Sequence, residues 1–339
     1  MKKLQHALQP GTVIRGTNLT YTVDHVLGSG AYGITYLATT NVQIQGELGT
    51  LDTFVHVTLK ELFVEGHMTR NGVMVERDSE DEQLNSYARC FYMEADKLAE
   101  LNHPNIVKVL EVFIANNTCY YTMEYLSGGT LNEYIDKKNG LPEVEALKFI
   151  RQIGSALSYM HSRKIVHLDV KPLNMVFKNK EQLKLIDYGL SIQYDNKGEA
   201  EATEDFGAGT PGYASLEQSS PDSTHQFTPS LDVYGLGASY YKMLTNMTPP
   251  KAVEIVSNGI NTHPLVSANV SQQSIDAIKA AMNPVAEKRL QTIDEYLAML
   301  PDIREEQEEG QKGNGKKRKA IIMIMLSALA ATALLYFLC

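Results

Sequence analysis

Cysteine is scarce in this chain. Cys90, Cys119 and Cys339 are the 3 cysteines in 339 residues, too few and too scattered for a disulfide framework or a zinc site, which fits a reducing compartment. A basic excess is also missing: 31 Lys and Arg stand against 40 Asp and Glu, giving a net charge of -9. That balance argues against nucleic acid as the main partner, because binding phosphate backbones wants a basic face. The N-terminal stretch Met1–Gly11 holds two lysines but no apolar core of the length a signal peptide needs, so the bulk of the chain is expected to stay where it is made. What remains is ordinary globular composition, 43% hydrophobic and 21% charged, with length enough for two domains or one bilobal unit.

The most informative stretch is Ile165–Phe177, I-V-H-L-D-V-K-P-L-N-M-V-F, read with I-D-Y-G at Ile186–Gly189. Asp169, Lys171 and Asn174 fall on a loop between apolar runs, and Asp187 follows a second apolar run. Phosphoryl transfer needs a carboxylate to orient a hydroxyl, oxygen ligands for Mg²⁺ and a cation near the moving group. Asp169, then Asn174 with Asp187, then Lys171 meet those needs. The pattern resembles the catalytic loop and metal-binding segment of eukaryotic-type protein kinases, with Leu168 where most members have Arg and Tyr188 where most have Phe.

Upstream, Tyr21–Ala38 places β-forming runs on either side of Gly28, Ser29, Gly30 and Gly33, a hairpin with a glycine-rich turn. Glycines so spaced let backbone N–H groups approach phosphate oxygens. A dinucleotide-binding fingerprint has the same spacing but puts a helix after the third glycine, whereas Ile34–Ala38 continues as a strand. The family's valine that packs on adenine is Thr35 here. Polar Asn41–Asp52 reads as a long connection before a strand Phe54–Leu59, which ends in V-T-L-K and so in Lys60. The resemblance gives Lys60 the nucleotide phosphates and a glutamate partner on the next long helix. Glu94, on the inward stripe with Phe91, Ala95 and Leu98, is the first candidate, and Glu100 the weaker one. Between them, Asn71-Gly72 predicts a small extra ribbon.

Cys119–Leu126 reads as a buried strand running into the interlobe hinge. By resemblance Met123 backs the adenine pocket, though plain core suits it nearly as well, and the backbone of Glu124 to Leu126 holds the base. Pro142–His161 is helical by period. His103 and His167 read as structural. Ser191–Glu217 is the candidate activation segment, closing with G-T-P-G-Y-A-S-L-E. The resemblance implies that Glu217 pairs with Arg289 and that Asp232 hydrogen-bonds the catalytic-loop backbone, with Tyr234 in place of the family's usual Trp. Because Leu168 cannot gather a phosphate, activity is not expected to require one on Thr203 or Thr210 by that route.

Arg304–Lys319 is a charged, glycine-bearing linker by composition, ending in Lys316-Lys317-Arg318-Lys319. Ala320–Cys339 has no charge in 20 residues. A helix of that length rises about 30 Å, enough to span a bilayer core, and the basic flank predicts a cytoplasmic kinase domain.

The resemblance covers about Tyr21–Leu300. It implies an α+β, bilobal protein kinase fold with an N-terminal extension (1–20), a β-rich N-lobe (21–124), a mostly helical C-lobe (125–300), the linker (301–319) and a C-terminal transmembrane helix (320–339). It further implies ATP and Mg²⁺ as cofactors and protein substrates with a Ser or Thr acceptor. Asp169 and Lys171 are then catalytic, Asn174 and Asp187 hold metal, and Gly28, Ser29, Gly30, Gly33, Thr35, Lys60, Glu94, Met123, Glu124 and Leu126 form the nucleotide site. Two rival readings are a pseudokinase that binds partners without catalysis, for which Thr35, Leu168, Tyr188 and Ser215-Leu216-Glu217 could be claimed, and a small-molecule phosphotransferase of related fold.

Overall fold

β-branched and aromatic residues recur through residues 12–62, and the strands they form lie in one sheet. The computed structural model describes residues 5–30, 33–46, 49–78, 80–187, 192–194, 209–219 and 227–302. Strands β1 (Val13–Arg15), β2 (Thr20–Ser29), β3 (Gly33–Gly46) and β4 (Gly49–Leu62) lie side by side. A small ribbon, β5 (Met68–Asn71) and β6 (Met74–Arg77), precedes helix α1 (Glu82–Glu100). β7 (Val109–Ala115) and β8 (Thr118–Glu124) then return to the sheet, whose order is β1-β2-β3-β4-β8-β7.

This sheet departs from the sequence reading in two places. It begins upstream of residue 21: Ile14 on β1 is fully buried, and the Leu8 N–H donates to the Tyr36 hydroxyl at 3.1 Å. Residues 41–46 and 49–52 are strand rather than connection, since β3 and β4 stay paired from Gly33↔Leu62 out to Gly46↔Gly49. Polar composition suggested a loop because this end of the ribbon has no core beneath it; Leu51 and Phe54 are 65% and 75% exposed. Cross-strand pairs such as Val42↔Thr53 and Asn41↔Phe54 sustain it instead. The expected ribbon at Asn71-Gly72 is present, with Asn71 paired to Met74 and Gly72 at φ +61 supplying the left-handed turn. α1 starts well before Phe91, where Asp81 caps it by accepting the Leu84 N–H at 3.0 Å.

The helical half contains α2 (Leu131–Lys138), α3 (Glu143–His161), α4 (Pro229–Thr245), α5 (Ala252–Asn258), α6 (His263–Ser267), α7 (Gln272–Ala281) and α8 (Ile293–Met299). Between α3 and α4 the described residues include the short strands β9 (Ile165–Val166), β10 (Met175–Asn179), β11 (Gln182–Leu185) and β12 (Ile192–Gln193). α4 is buried from Ser230 to Leu244 and is the axis against which α3, α7 and α8 pack. It therefore offers a rigid base for the loop that follows β9.

Residues Pro301–Cys339 form a second unit, of which 301 and 302 are described. Among the described residues no helix is long and apolar enough to cross a membrane. The expected span 320–339 lies outside the described residues.

Candidate active site

The glycine-rich turn joins β2 to β3, with Gly28 opposite Thr35 and Ser29 opposite Ile34. The Gly30 N–H closes the turn on the Gly33 carbonyl at 3.0 Å. The glycines do different work. A Cβ on Gly33 would run into the Glu61 carbonyl of β4, so that residue must be small for the strands to meet. Among the described residues nothing lies within 4 Å of a Cβ on Gly28 or Gly30, so no steric neighbour there demands glycine at either position.

Lys60 sits on β4 between Thr35 of β3 and Tyr121 of β8. Its Nζ lies 5.4 Å from the Tyr121 ring centroid and 3.4 Å from Asp187 Oδ1. The ammonium beside it holds the Asp187 carboxyl below the usual carboxylate range. Glu94, the expected partner of Lys60, is on α1 between buried Phe91 and Leu98, and its side chain lies outside the described residues. Asp187 itself adopts a left-handed backbone, φ +59.

After β9 the loop is tightly wired. Asp169 is the hub: Lys171 Nζ donates to its Oδ2 at 2.6 Å, Asn174 Nδ2 to the same oxygen at 2.9 Å, and the Thr210 hydroxyl to its Oδ1 at 2.7 Å. Lys171 also donates to Thr210 Oγ1 at 2.7 Å. Asn174 Nδ2 reaches the Asp169 carbonyl as well, at 2.9 Å. The segment carrying Asp187 is stitched to this loop, because the Ile186 N–H donates to the Asn174 carbonyl at 2.9 Å. His167 completes the stitching, with Nδ1 accepting from the Asp169 N–H and Nε2 lying 3.3 Å from the Ile186 carbonyl. Burial drives its pKa below the ordinary histidine value, consistent with a neutral, structural imidazole.

A second tier fixes the loop from below. Asp232 on α4, 1% exposed, accepts the His167 and Leu168 N–H groups at 2.8 Å each and faces His161 Nε2 at 2.7 Å. Burial pushes its carboxyl up, but the His161 hydrogen bond and charge together with His167 outweigh that and hold it below the carboxylate range. Leu168 is thereby held at φ +66, a conformation costly for an L-residue with a side chain. Arg289 grips Glu217 through two bonds, 2.7 and 3.0 Å. Tyr234 is fully buried beside that arginine, 5.3 Å from it, and its hydroxyl has no partner among the described residues.

Met123 and Leu126 are half-buried where β8 leaves the sheet. The Glu124 side chain turns to the outer side of that junction, where it accepts from Lys184 Nζ at 2.6 Å and the Lys108 N–H at 2.9 Å. Lys178 lies 3.8 Å away. Thr210 and Gln218 escaped the list of site residues drawn from sequence. Gln218 Nε2 donates to the Leu168 carbonyl at 3.0 Å while its Oε1 accepts from the Ser215 N–H at 3.1 Å, joining the segment around Glu217 to the loop. Thr210 carried a signal, its place in G-T-P-G-Y; Gln218 carried none.

A family model described as the protein kinase domain matches residues 68–304. The chain belongs to that family. Gly28–Lys60 lies ahead of the matched residues, so the glycine turn and the lysine rest on the geometry above. Among similar proteins is the serine/threonine-protein kinase cds1 of Schizosaccharomyces pombe, 25% identical across 82% of this chain and 57% of the relative. A probable serine/threonine-protein kinase of Clostridium perfringens is 30% identical across 64% of this chain and 32% of its own. Serine/threonine-protein kinase PrkC of Bacillus subtilis is 32% identical across 49% and 25% respectively. The chain thus spans between a quarter and somewhat over half the length of these relatives.

Proposed function

We propose that this chain transfers the γ-phosphoryl group of Mg·ATP to Ser or Thr hydroxyls of protein substrates. The observation that carries this reading is the hub at Asp169, where a lysine, an amide and a hydroxyl converge on one carboxylate in the loop to which the segment of Asp187 is bonded. The Thr210 hydroxyl on Asp169 Oδ1 is itself an instance of what the reaction requires, a carboxylate accepting from an alcohol.

The residues suit the absent groups. The Asp187 carboxylate and an amide oxygen are hard donors of the kind Mg²⁺ takes, and the Asn174 amide nitrogen is spent on Asp169, leaving its oxygen as the ligand atom. When bound, the metal neutralises charge on the phosphate oxygens. Asp169 orients the acceptor hydroxyl, and Lys171 balances charge on the transferring group. Lys60, together with the glycine turn at Gly28, Ser29, Gly30 and Gly33, receives the nucleotide phosphates. Met123 and the backbone of Glu124 to Leu126 receive the base. Glu94 steadies Lys60.

Purified full chain with Mg·ATP and a generic protein substrate, compared with Asp169→Asn, tests the reading. Incorporation by the wild type and its loss in the variant support it. Equal background incorporation in both would favour a pseudokinase, and turnover of small alcohols alone a small-molecule phosphotransferase.

The C-terminal segment is part of the proposal: Ala320–Cys339 anchors the chain in a membrane, with the kinase domain on the cytoplasmic side. Its support is compositional, an uncharged run behind four basic residues at 316–319. A chain truncated before Ala320 that still sediments with membranes would overturn it.

A further inference from the structure

The β5–β6 ribbon has no part in the chemistry above, yet it is built into the back of the strand that carries Lys60. Consecutive residues of a strand face opposite sides of the sheet, so Lys60 faces the cleft while Glu61 faces away. Glu61 is fully buried, an unusual state for a carboxylate. Its oxygens take the Tyr36 hydroxyl at 2.8 Å from β3, the Tyr120 hydroxyl from β8, and Arg70 Nη2 at 2.6 Å from β5. One carboxylate thus ties β4 to both flanking strands and to the ribbon.

Arg70 is equally committed. Its Nε donates to the His6 carbonyl and its Nη1 to the Val73 carbonyl, and its guanidinium lies 5.1 Å from the Phe63 ring centroid. The His6 ring stacks on the other partner of that contact, Phe63, at 5.4 Å. The ribbon is tethered at further points: the Val75 N–H donates to the Asn116 carbonyl at 2.9 Å, and His67 next to β5 pairs with the α1 cap Asp81 at 2.6 Å. It therefore connects the strand of Lys60 to the start of the helix of Glu94.

We infer that the ribbon is a brace for the nucleotide lysine, and that Arg70, through Glu61, is a positioning residue for Lys60. The inference rests on the reading of Lys60 as the phosphate-binding lysine. An ion pair this deep gives little net stability over apolar packing, but it fixes geometry, because each oxygen has a directed donor and a slip of β4 would strand a buried charge. Arg70 touches neither substrate nor nucleotide; it acts by holding the end of β4 still.

The test uses full chain carrying Arg70→Met, and the charge-neutral pair Glu61→Gln with Arg70→Met, which leaves no unpaired ion if the single variant unfolds. Thr69→Ala, exposed on the same ribbon, is the control. Thermal unfolding, Mg·ATP affinity by equilibrium binding, and KM and kcat for ATP and for a generic protein substrate are measured on each. The brace predicts that the neutral pair stays folded with its KM for ATP raised about tenfold, its KM for the protein substrate unchanged, and Thr69→Ala like wild type. A neutral pair with native affinity and native KM for ATP would overturn it and leave the kinase reading standing. Wild type that binds no Mg·ATP would overturn both.

Discussion

Replacing Asp232 by asparagine removes one charge and almost no volume, yet it strikes the point from which the catalytic loop hangs. The aspartate accepts three hydrogen bonds, from the His167 and Leu168 amides and from His161, at 2.7 to 2.8 Å and out of contact with water. Bonds to a charged acceptor contribute about 1.5 to 3 kcal/mol each. Asparagine keeps one oxygen; placed where Oδ2 accepts from His167 and His161, it keeps those two as weaker, neutral bonds, loses the third and leaves its NH₂ facing the Leu168 N–H. A loss of roughly 3 to 5 kcal/mol follows. For a unit of this size each kcal/mol lowers Tm by about 2 to 4 °C, so Tm falls by roughly 6 to 20 °C. Leu168, no longer held at positive φ, relaxes and carries Asp169 with it, so kcat falls even at temperatures where the variant is fully folded. Scanning calorimetry and a phosphotransfer assay at 15 °C below the variant's Tm would read both. A variant that melts with wild type and keeps its kcat would refute the claim that Asp232 holds the loop.

The glycines separate cleanly. Gly33→Ala lowers stability because its Cβ meets the Glu61 carbonyl, whereas Gly28→Ala and Gly30→Ala leave Tm unchanged and raise the KM for ATP, a contrast read by melting curves and initial rates. Glu217, half-buried, has its carboxyl pushed up by burial but pulled down further by Arg289, so its folded pKa lies below the ordinary glutamate value. The sign is then fixed: the pair stabilises above that ordinary value and the contribution fades as pH falls through the folded one, so the Tm difference between wild type and Glu217→Gln should shrink on acidification. Leu168 offers no cation to a phosphate, so phosphatase-treated enzyme should retain its phosphotransfer rate, checked by initial rates before and after treatment.

What could be read from sequence was what depends on order along the chain. Asp169, Lys171 and Asn174 lie within one loop, so their convergence follows from local spacing. Glu217 and Arg289 stand 72 residues apart, and their pairing was legible only because family order marks both ends. Other features depend on tertiary meeting alone. Nothing in the composition of 41–52 distinguishes a free-standing ribbon from a loop, since neither buries a core. Arg70 and Glu61 are both common surface residues by type, and only the covering of the sheet's far face makes them an inner pair. Gln218 likewise gains its place by a chain reversal that leaves no trace in periodicity.

The carboxylate of Glu124 has a consequence for motion. It joins the backbone at Lys108, on the strand side, to Lys184, on the helical side, at the corner where the polypeptide crosses between halves. A parting of the halves that keeps both bonds has to pivot at that corner, so displacement grows with distance from it. On the proposed reading of Glu124 to Leu126 as the segment that receives the base, the base would lie next to this tie and the phosphates farther from it.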